Sequence, residues 1–252
     1  MTGKDRLNNI RQMIKNEHKV SVPQLSELYQ VTEETIRRDL DKLEAEGIAN
    51  RTYGGAVLNT ASQVESIHFY KRSDINLEAK KKIAINALSL LENKSTMFAD
   101  SSSTVIELLK LMKERQDLTV LTNSSVALQV LATGDTKVLS TGGEFNKNSL
   151  SMQGSLAKEM VRKYHVEVCV MSCKGLDLEA GALDSNENEA EVKKIMIEQA
   201  DEMILLVDHT KFDKKAFVQL VLPEKISCIV TNEKPLDKWV KYCRENNITL
   251  LY

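Results

Sequence analysis

Residues 31–47 read VTEETIRRDLDKLEAEG, two adjacent arginines set among six carboxylates. Ile36, Leu40 and Leu43 recur at the spacing of one helical face, and a 100° step per residue turns Glu34, Thr35, Arg37, Arg38, Asp41 and Lys42 outward. Thr32 stands at the N-cap, Glu33 and Glu34 occupy the first turn, where carboxylates oppose the positive end of the helix dipole, and Gly47 ends the helix. The arginine pair is thereby placed on the outer side, near the helix N-terminus.

Working back from this helix, Leu7, Ile10 and Ile14 mark a first amphipathic helix, and Leu25 and Leu28 a second. Ser21 before Val-Pro-Gln, with Pro23 in the first turn and Gln24 three residues on, predicts a capping-box start and a helix over 23–29. About three residues, 30–32, remain between the second and third helices, which is helix-turn-helix spacing. After Gly47, residues 48–58 read as two short extended pieces around a polar turn, the expected form of a β-wing.

In helix-turn-helix docking the N-terminal end of the last helix enters the major groove, where arginine donates two hydrogen bonds to a guanine edge or clamps a phosphate. Arg37 and Arg38 are the first candidates, with Thr35 beside them. Ser21, Thr32, Lys42, Arg51 and Tyr53 complete the DNA-contacting set, and Lys19 extends the same face. The competing account pairs the arginines with Glu33, Glu34 and Asp41, each pair worth about 0.2–0.5 kcal/mol. Residues 1–56 carry nine Lys and Arg against nine Asp and Glu, so no strongly basic domain exists. Phosphate contacts nevertheless depend on where cations sit rather than on their sum, which favours the DNA reading.

The whole chain has 252 residues, formal net charge -2 and 42% hydrophobic residues, enough for a small domain joined to a larger one. The start of the sequence is polar and the longest apolar runs are far short of a bilayer span, so a cytoplasmic protein without membrane segments is expected. Cys169, Cys173, Cys228 and Cys243 form no C-x-x-C pair and the four histidines are scattered, which assigns reduced core thiols, no metal and no cofactor.

Residues 1–58 therefore read as a winged helix-turn-helix domain and 59–74, which lack periodicity, as a linker. Residues 75–252 alternate β-branched apolar runs with helical patterns. Strands are expected at 96–99, 118–122, 137–140, 166–171, 203–207, 227–231 and 249–252, giving an α/β domain with a mainly parallel sheet.

Three of these strands end in hydroxyl-rich or glycine-rich turns. Asp100-Ser-Ser-Ser-Thr104 opens a helix after the first, so that Ser101, Ser102, Ser103 and Thr104 join backbone N–H groups in a plausible oxyanion cradle. Thr122, Asn123 and Ser124 repeat the arrangement after the second, and Gly142 and Gly143 follow the third, permitting close backbone approach. For any single loop, capping accounts for the hydroxyl. Three loops at equivalent positions favour a ligand site at the carboxyl ends of the strands. Lys211 is a further candidate, as a cation for phosphate, with Asp100 and Asp208 for sugar hydroxyls.

Residues 20–28 (VSVPQLSEL), 31–44 (VTEETIRRDLDKLE), Gly47 and 51–56 (RTYGGA), in this order and spacing, resemble the DeoR family of bacterial transcriptional regulators. The resemblance continues through Phe98–Thr104, Leu121–Ser124, Thr141–Gly143, Gly154, Gly175–Asp177, Glu191–Met196 and Asp208–Phe212, nearly the whole chain. It implies a winged helix on double-stranded operator DNA. It also implies a sensor domain similar to the ribose-phosphate isomerase and coenzyme A transferase fold that binds a phosphorylated sugar. Most members are repressors of sugar-catabolic operons, and a homo-oligomer, dimer or tetramer, is expected over repeated half-sites.

An enzyme with an accessory DNA domain is the competing class. The sugar isomerases of this fold carry an acidic Asp-Gly-Ala-Asp-Glu loop after the fourth strand, whereas 172–177 here read SCKGLD with Asp177 the only acid, so no catalysis is expected. The family pattern has a small residue or Asn where Lys174 stands. That lysine is either an extra cation for an anionic ligand or a side chain projecting to solvent.

Overall fold

The computed structural model describes residues 3–17, 19–45, 48–52, 54–58 and 69–252. Two compact units are formed, Met1–Glu65 and Ser66–Tyr252. The first contains α1 (Gly3–Glu17), β1 (Lys19–Ser21), α2 (Val22–Tyr29), α3 (Glu33–Ala45), β2 (Ala49–Thr52) and β3 (Gly55–Leu58). Ile10, Ile14, Leu25, Ile36, Leu40 and Leu43 are all buried in one core, as the 3.6-residue pattern requires. Gln30 takes the left-handed conformation (φ 52°) and the Val31 N–H bonds to the Ser26 carbonyl, which ends α2 and produces the short turn before α3.

Three local expectations change here. Ser21 holds the N-cap position of α2 without any side-chain cap bond, so the capping box with Gln24 does not form. Ser21 instead ends β1, a strand the sequence reading lacked, and the Val22 N–H bonds to the Gly54 carbonyl at 2.9 Å. β1 pairs with β3, which pairs with β2, all antiparallel. The close approach of β1 needs Gly55, where a Cβ would lie 2.0 Å from the Val20 carbonyl oxygen. Gly47, Tyr53 and 59–68 lie outside the described residues. The expected linker does not extend to 74, because α4 (Phe69–Asp74) is helical and Phe69 is buried in the second unit's core.

The second unit continues with α5 (Leu77–Ala87), β4 (Thr96–Ala99), α6 (Ser103–Met112), β5 (Thr119–Thr122), α7 (Ser125–Leu131) and β6 (Lys137–Ser140). A hairpin of β7 (Glu144–Asn146) and β8 (Ser151–Gln153) leads to α8 (Gly154–Arg162), β9 (Val166–Met171), β10 (Gly175–Asp177) and β11 (Gly181–Asp184). Then come α9 (Glu187–Glu198), β12 (Ala200–Leu206), β13 (Val218–Val221), β14 (Cys228–Val230), α10 (Asp237–Glu245) and β15 (Thr249–Leu251).

The seven expected strands form one parallel sheet in the order β15-β14-β12-β9-β4-β5-β6. Alternate residues feed two cores: Phe98, Leu121, Cys169, Met171 and Leu205 on one face, and Met97, Ala99, Val120, Val168, Val170, Ile204 and Leu206 on the other. Burial on both faces is why the inner strands β4, β5, β9, β12 and β14 read as apolar runs. The chain runs outward from β4 through β5 to β6, then returns to β9 on the other side of β4. The topological switch point lies between β4 and β9.

β10, β11 and β13 make a second, antiparallel sheet that the sequence reading did not contain. All four cysteines are buried free thiols. No helix among the described residues is long and apolar enough to cross a membrane.

Candidate DNA-reading helix and strand-end site

On α3, Thr32 acts as the expected cap, its Oγ1 accepting from the Thr35 N–H at 3.3 Å and lying 2.9 Å from Thr35 Oγ1. Arg37 and Arg38 point outward and are exposed, each one turn from a glutamate, Arg37 at 2.6 Å from Glu33 and Arg38 at 3.4 Å from Glu34. Such exposed pairs are worth only about 0.2–0.5 kcal/mol, less than the roughly 1–3 kcal/mol of a bidentate base contact. The glutamates therefore hold the arginines loosely in place without withholding them from a polyanion.

Lys42 is exposed, 3.8 Å from the buried Asp39, which itself receives Arg6 Nε at 2.7 Å and ties α1 to α3. Arg51 is more committed than the sequence reading assumed. Its Nε is 3.0 Å from Asp41 and its guanidinium donates to the Gly55 carbonyl at 2.9 Å, while its backbone N–H donates to Glu44 at 2.8 Å. Arg51 thus braces the wing against α3.

At the carboxyl ends of β4, β5 and β6, neighbours in the sheet, the three expected loops do gather. Their hydroxyls are mostly engaged. Ser102 and Ser124 cap α6 and α7 by accepting from Val105 and Ala127. Thr122 Oγ1 accepts from the Ser124 N–H, Ser103 Oγ donates to the Arg72 carbonyl at 3.4 Å, and Thr104 is buried. Asn123 differs: its Nδ2 donates to the Met152 carbonyl, yet its buried Oδ1 has no partner among the described residues. An orphaned acceptor of this kind costs about 1–3 kcal/mol unless a donor arrives. Gly143 (φ 110°) is explained by packing, since a Cβ there would meet the Gln153 carbonyl oxygen at 2.5 Å. Gly142 stands open, with no atom within 4 Å of a Cβ position.

At the switch point lies a buried ion network. Lys193 on α9 places Nζ 2.8 Å from Asp100, 2.7 Å from Asp184 and 3.0 Å from the Ser172 carbonyl. Asp100 also accepts from the Ser102 and Ser172 N–H groups, and Ser101 Oγ donates to Glu189 at 2.6 Å. Burial favours the neutral amine of Lys193, but the charges of Asp100, Asp184 and Glu189 outweigh it and raise its proton affinity. Burial likewise pushes the Asp184 carboxyl up, and the Lys193 and Lys174 charges bring it below the ordinary carboxylate range.

Past β12, Asp208 is buried and held low despite its burial by Thr210 and Lys211, whose Nζ stands 3.6 Å away; Asn76 donates to the same carboxylate. Lys80, in α5, donates to the Arg72 and Ile75 carbonyls and fixes α4 beside this end of the sheet. Lys174 is half-buried and does not project freely to solvent.

Asp177 Oδ1 accepts from Glu179 N and Ala180 N within the turn between β10 and β11. Those hydrogen bonds hold its carboxyl below the usual range. It is a turn former rather than a poised base.

The DeoR-like helix-turn-helix domain matches residues 6–62, and the DeoR C-terminal sensor domain matches residues 75–233. The chain belongs to the DeoR family. It is 37% identical to the transcriptional regulator YulB of Bacillus subtilis over 90% of this chain and 88% of that one. It is 35% identical to the L-fucose operon activator of Haemophilus influenzae, over 95% and 96%. It is 31% identical to the transcriptional repressor GlcR of Bacillus subtilis, over 100% and 96%. Among solved structures, ribose 5-phosphate isomerase A of Methanocaldococcus jannaschii is similar over 56% of each chain at 18% identity, with a TM-score of 0.42. This DeoR protein is accordingly a DNA-binding transcriptional regulator.

Of the polar groups at these strand ends, the sequence points to Asp100, Asn123, Asp208 and Lys211 as candidates but not to Asp184, Glu189 and Lys193. The signal for the last two was present: Glu189 and Lys193 are one turn apart on α9, a spacing that reads as a solvated pair until tertiary packing buries it.

Proposed function

We propose that this regulator represses a sugar transport or catabolic operon and is released from its operator by a phosphorylated sugar bound at the strand ends. The observation that carries the sensor half is the orphaned Asn123 Oδ1 at the end of β5, a buried acceptor suited to a sugar hydroxyl. Lys211, partly exposed beside Asp208, supplies a cation for the phosphate. Arg37, Arg38 and Thr35 read the operator, with Ser21, Thr32, Lys42, Arg51 and Tyr53 as further DNA contacts. A homo-oligomer, dimer or tetramer, sets two winged helices over repeated half-sites. The sugar phosphate shifts that equilibrium only by its differential affinity for the DNA-competent and released states.

Nothing enzymatic is required. Asp100 and Asp184 are locked on Lys193 and Asp177 in its turn, so no free carboxylate among these three serves as a base. Incubation of the purified protein with sugar phosphates, followed by NMR, is expected to show no turnover; conversion of any of them would reinstate the isomerase reading. The activator named among the relatives motivates one alternative, activation, which mapping the operator relative to its promoter decides.

The sensor reading is tested by thermal shift and operator release with a panel of sugar phosphates. At least one is expected to stabilise the protein and free the DNA, and Lys211→Ala is expected to weaken it about tenfold or more. Equal responses from wild type and Lys211→Ala would remove that lysine from the site.

A further inference from the structure

At 100° per residue, Asp41 falls between Arg37 and Arg38 on the outer side of α3, and Glu44 lies within about 20° of Arg37. Each arginine already has a glutamate one turn earlier, Arg37 at 2.6 Å from Glu33 and Arg38 at 3.4 Å from Glu34. Asp41 and Glu44 reach the wing instead. Asp41 Oδ1 stands 3.0 Å from Arg51 Nε, Glu44 Oε1 accepts from the Arg51 backbone N–H at 2.8 Å, and the Arg51 guanidinium donates to the Gly55 carbonyl at 2.9 Å. One arginine thereby ties α3 to both strands of the hairpin, β2 and β3.

Stability alone is a weak reason for this arrangement, because Asp41 is 61% exposed and exposed ion pairs contribute little. A carboxylate between two arginines that approach phosphates also repels those phosphates, so its charge works against binding any polyanion. Its geometry works the other way. β1 holds the hairpin through β3, and the two acids hold it through β2, the strand on the opposite side. With both attachments made, the distance from the arginine pair to the wing is fixed, and a duplex whose grooves match that distance is favoured over one whose contacts fall out of register.

We propose that Asp41 and Glu44 are positioning residues for DNA reading: through Arg51 they set the spacing between the arginine pair and the wing, which raises discrimination for the operator while lowering affinity for DNA in general. This role rests on α3 being the helix that reads DNA, and neither acid need touch DNA itself.

The full chain is tested by fluorescence anisotropy on two probes, a duplex enriched by wild type from a random pool and a scrambled duplex of the same length and composition. Asp41→Ala is expected to bind the scrambled duplex as tightly as wild type or more tightly, while the ratio of selected to scrambled affinity falls about threefold or more; Glu44→Ala is expected to lower the ratio in the same direction. Asp41→Asn keeps an oxygen for Arg51 and loses only the charge, so its ratio is expected to stay within about twofold of wild type. In an Arg51→Met background, Asp41→Ala is expected to leave the ratio unchanged, because the acid then has nothing to hold.

An equal gain on both duplexes in Asp41→Ala would reduce the residue to a charge effect, and an equal loss on both with a lowered melting temperature would make it merely structural; either overturns the proposal. So would a change of ratio by Asp41→Ala that persists without Arg51. Arg37→Ala and Arg38→Ala are measured alongside. If they weaken the selected duplex while Asp41→Ala keeps the wild-type ratio, the positioning role falls and α3 remains the reading helix. If neither arginine variant changes the selected duplex, that reading falls and the positioning role with it.

Discussion

Replacing Lys193 by Met is expected to destabilise the α/β unit by about 3–5 kcal/mol, the usual penalty for stranding a buried charge. The lysine is 3% exposed and its two carboxylate partners, Asp100 and Asp184, are 0% and 1% exposed. Without the ammonium, both acids face a low-dielectric interior at the switch point of the sheet. Urea denaturation of the full chain, read on the transition of the second unit, measures the loss. Adding Asp184→Asn to Lys193→Met is expected to recover part of it by removing one uncompensated charge. A loss below about 1 kcal/mol would show that water reaches the network and that it does not hold the strand ends together.

The same pair fixes a pH window. The Asp184 carboxyl is held low, so its contribution is full above the unfolded carboxylate value, near 4, and fades as pH falls through the lower folded value. The Lys193 ammonium is held high, so its contribution is full below the unfolded lysine value, near 10.4, and fades only as pH rises through the higher folded value. Across neutral pH the brace is intact.

Arg37→Ala and Arg38→Ala are each expected to weaken operator binding by about 1–3 kcal/mol where the arginine makes a bidentate base contact, roughly ten- to a hundredfold. An arginine that contacts only phosphate would instead weaken binding to all sequences and reduce the salt dependence by about one unit. Folding should hardly register either change, since each side chain is exposed and loses only an intrahelical pair worth about 0.2–0.5 kcal/mol. Fluorescence anisotropy on the operator at two salt concentrations, beside a melting curve, separates binding from stability. Unchanged affinity in both variants would remove α3 as the reading helix.

Several features were legible without coordinates because their causes are local or periodic. Thr32 caps α3 through a bond three residues long. Thr96–Ala99 and Val166–Met171 form strands at the expected residues, since strands buried on both faces call for apolar side chains on both. The short strands β1, β10 and β11 lacked such a signature. Lys-Val-Ser and Gly-Leu-Asp carry no pattern distinguishable from a loop, and they become strands only because β3 and β11, respectively, lie alongside. The Ser21 capping box failed for the same reason, when strand pairing placed the Gly54 carbonyl against the Val22 N–H.

The sequence by itself determined the two-part organisation in outline, the outward arginine pair on a capped helix and the strand-end loops of the α/β unit. Each follows from residue spacing along one element or from the chemistry of a single turn. Only the tertiary structure decided which polar groups at those loops are already satisfied. Asp100 and Lys193 are 93 residues apart yet lie 2.8 Å from each other across the switch point. Ser102 and Ser124 are spent on caps, and Asn123 keeps an acceptor without a partner among the described residues. Sequence lists the donors and acceptors; which of them remain free for a ligand depends on long-range neighbours, because burial gives a polar group its cost and a partner removes it.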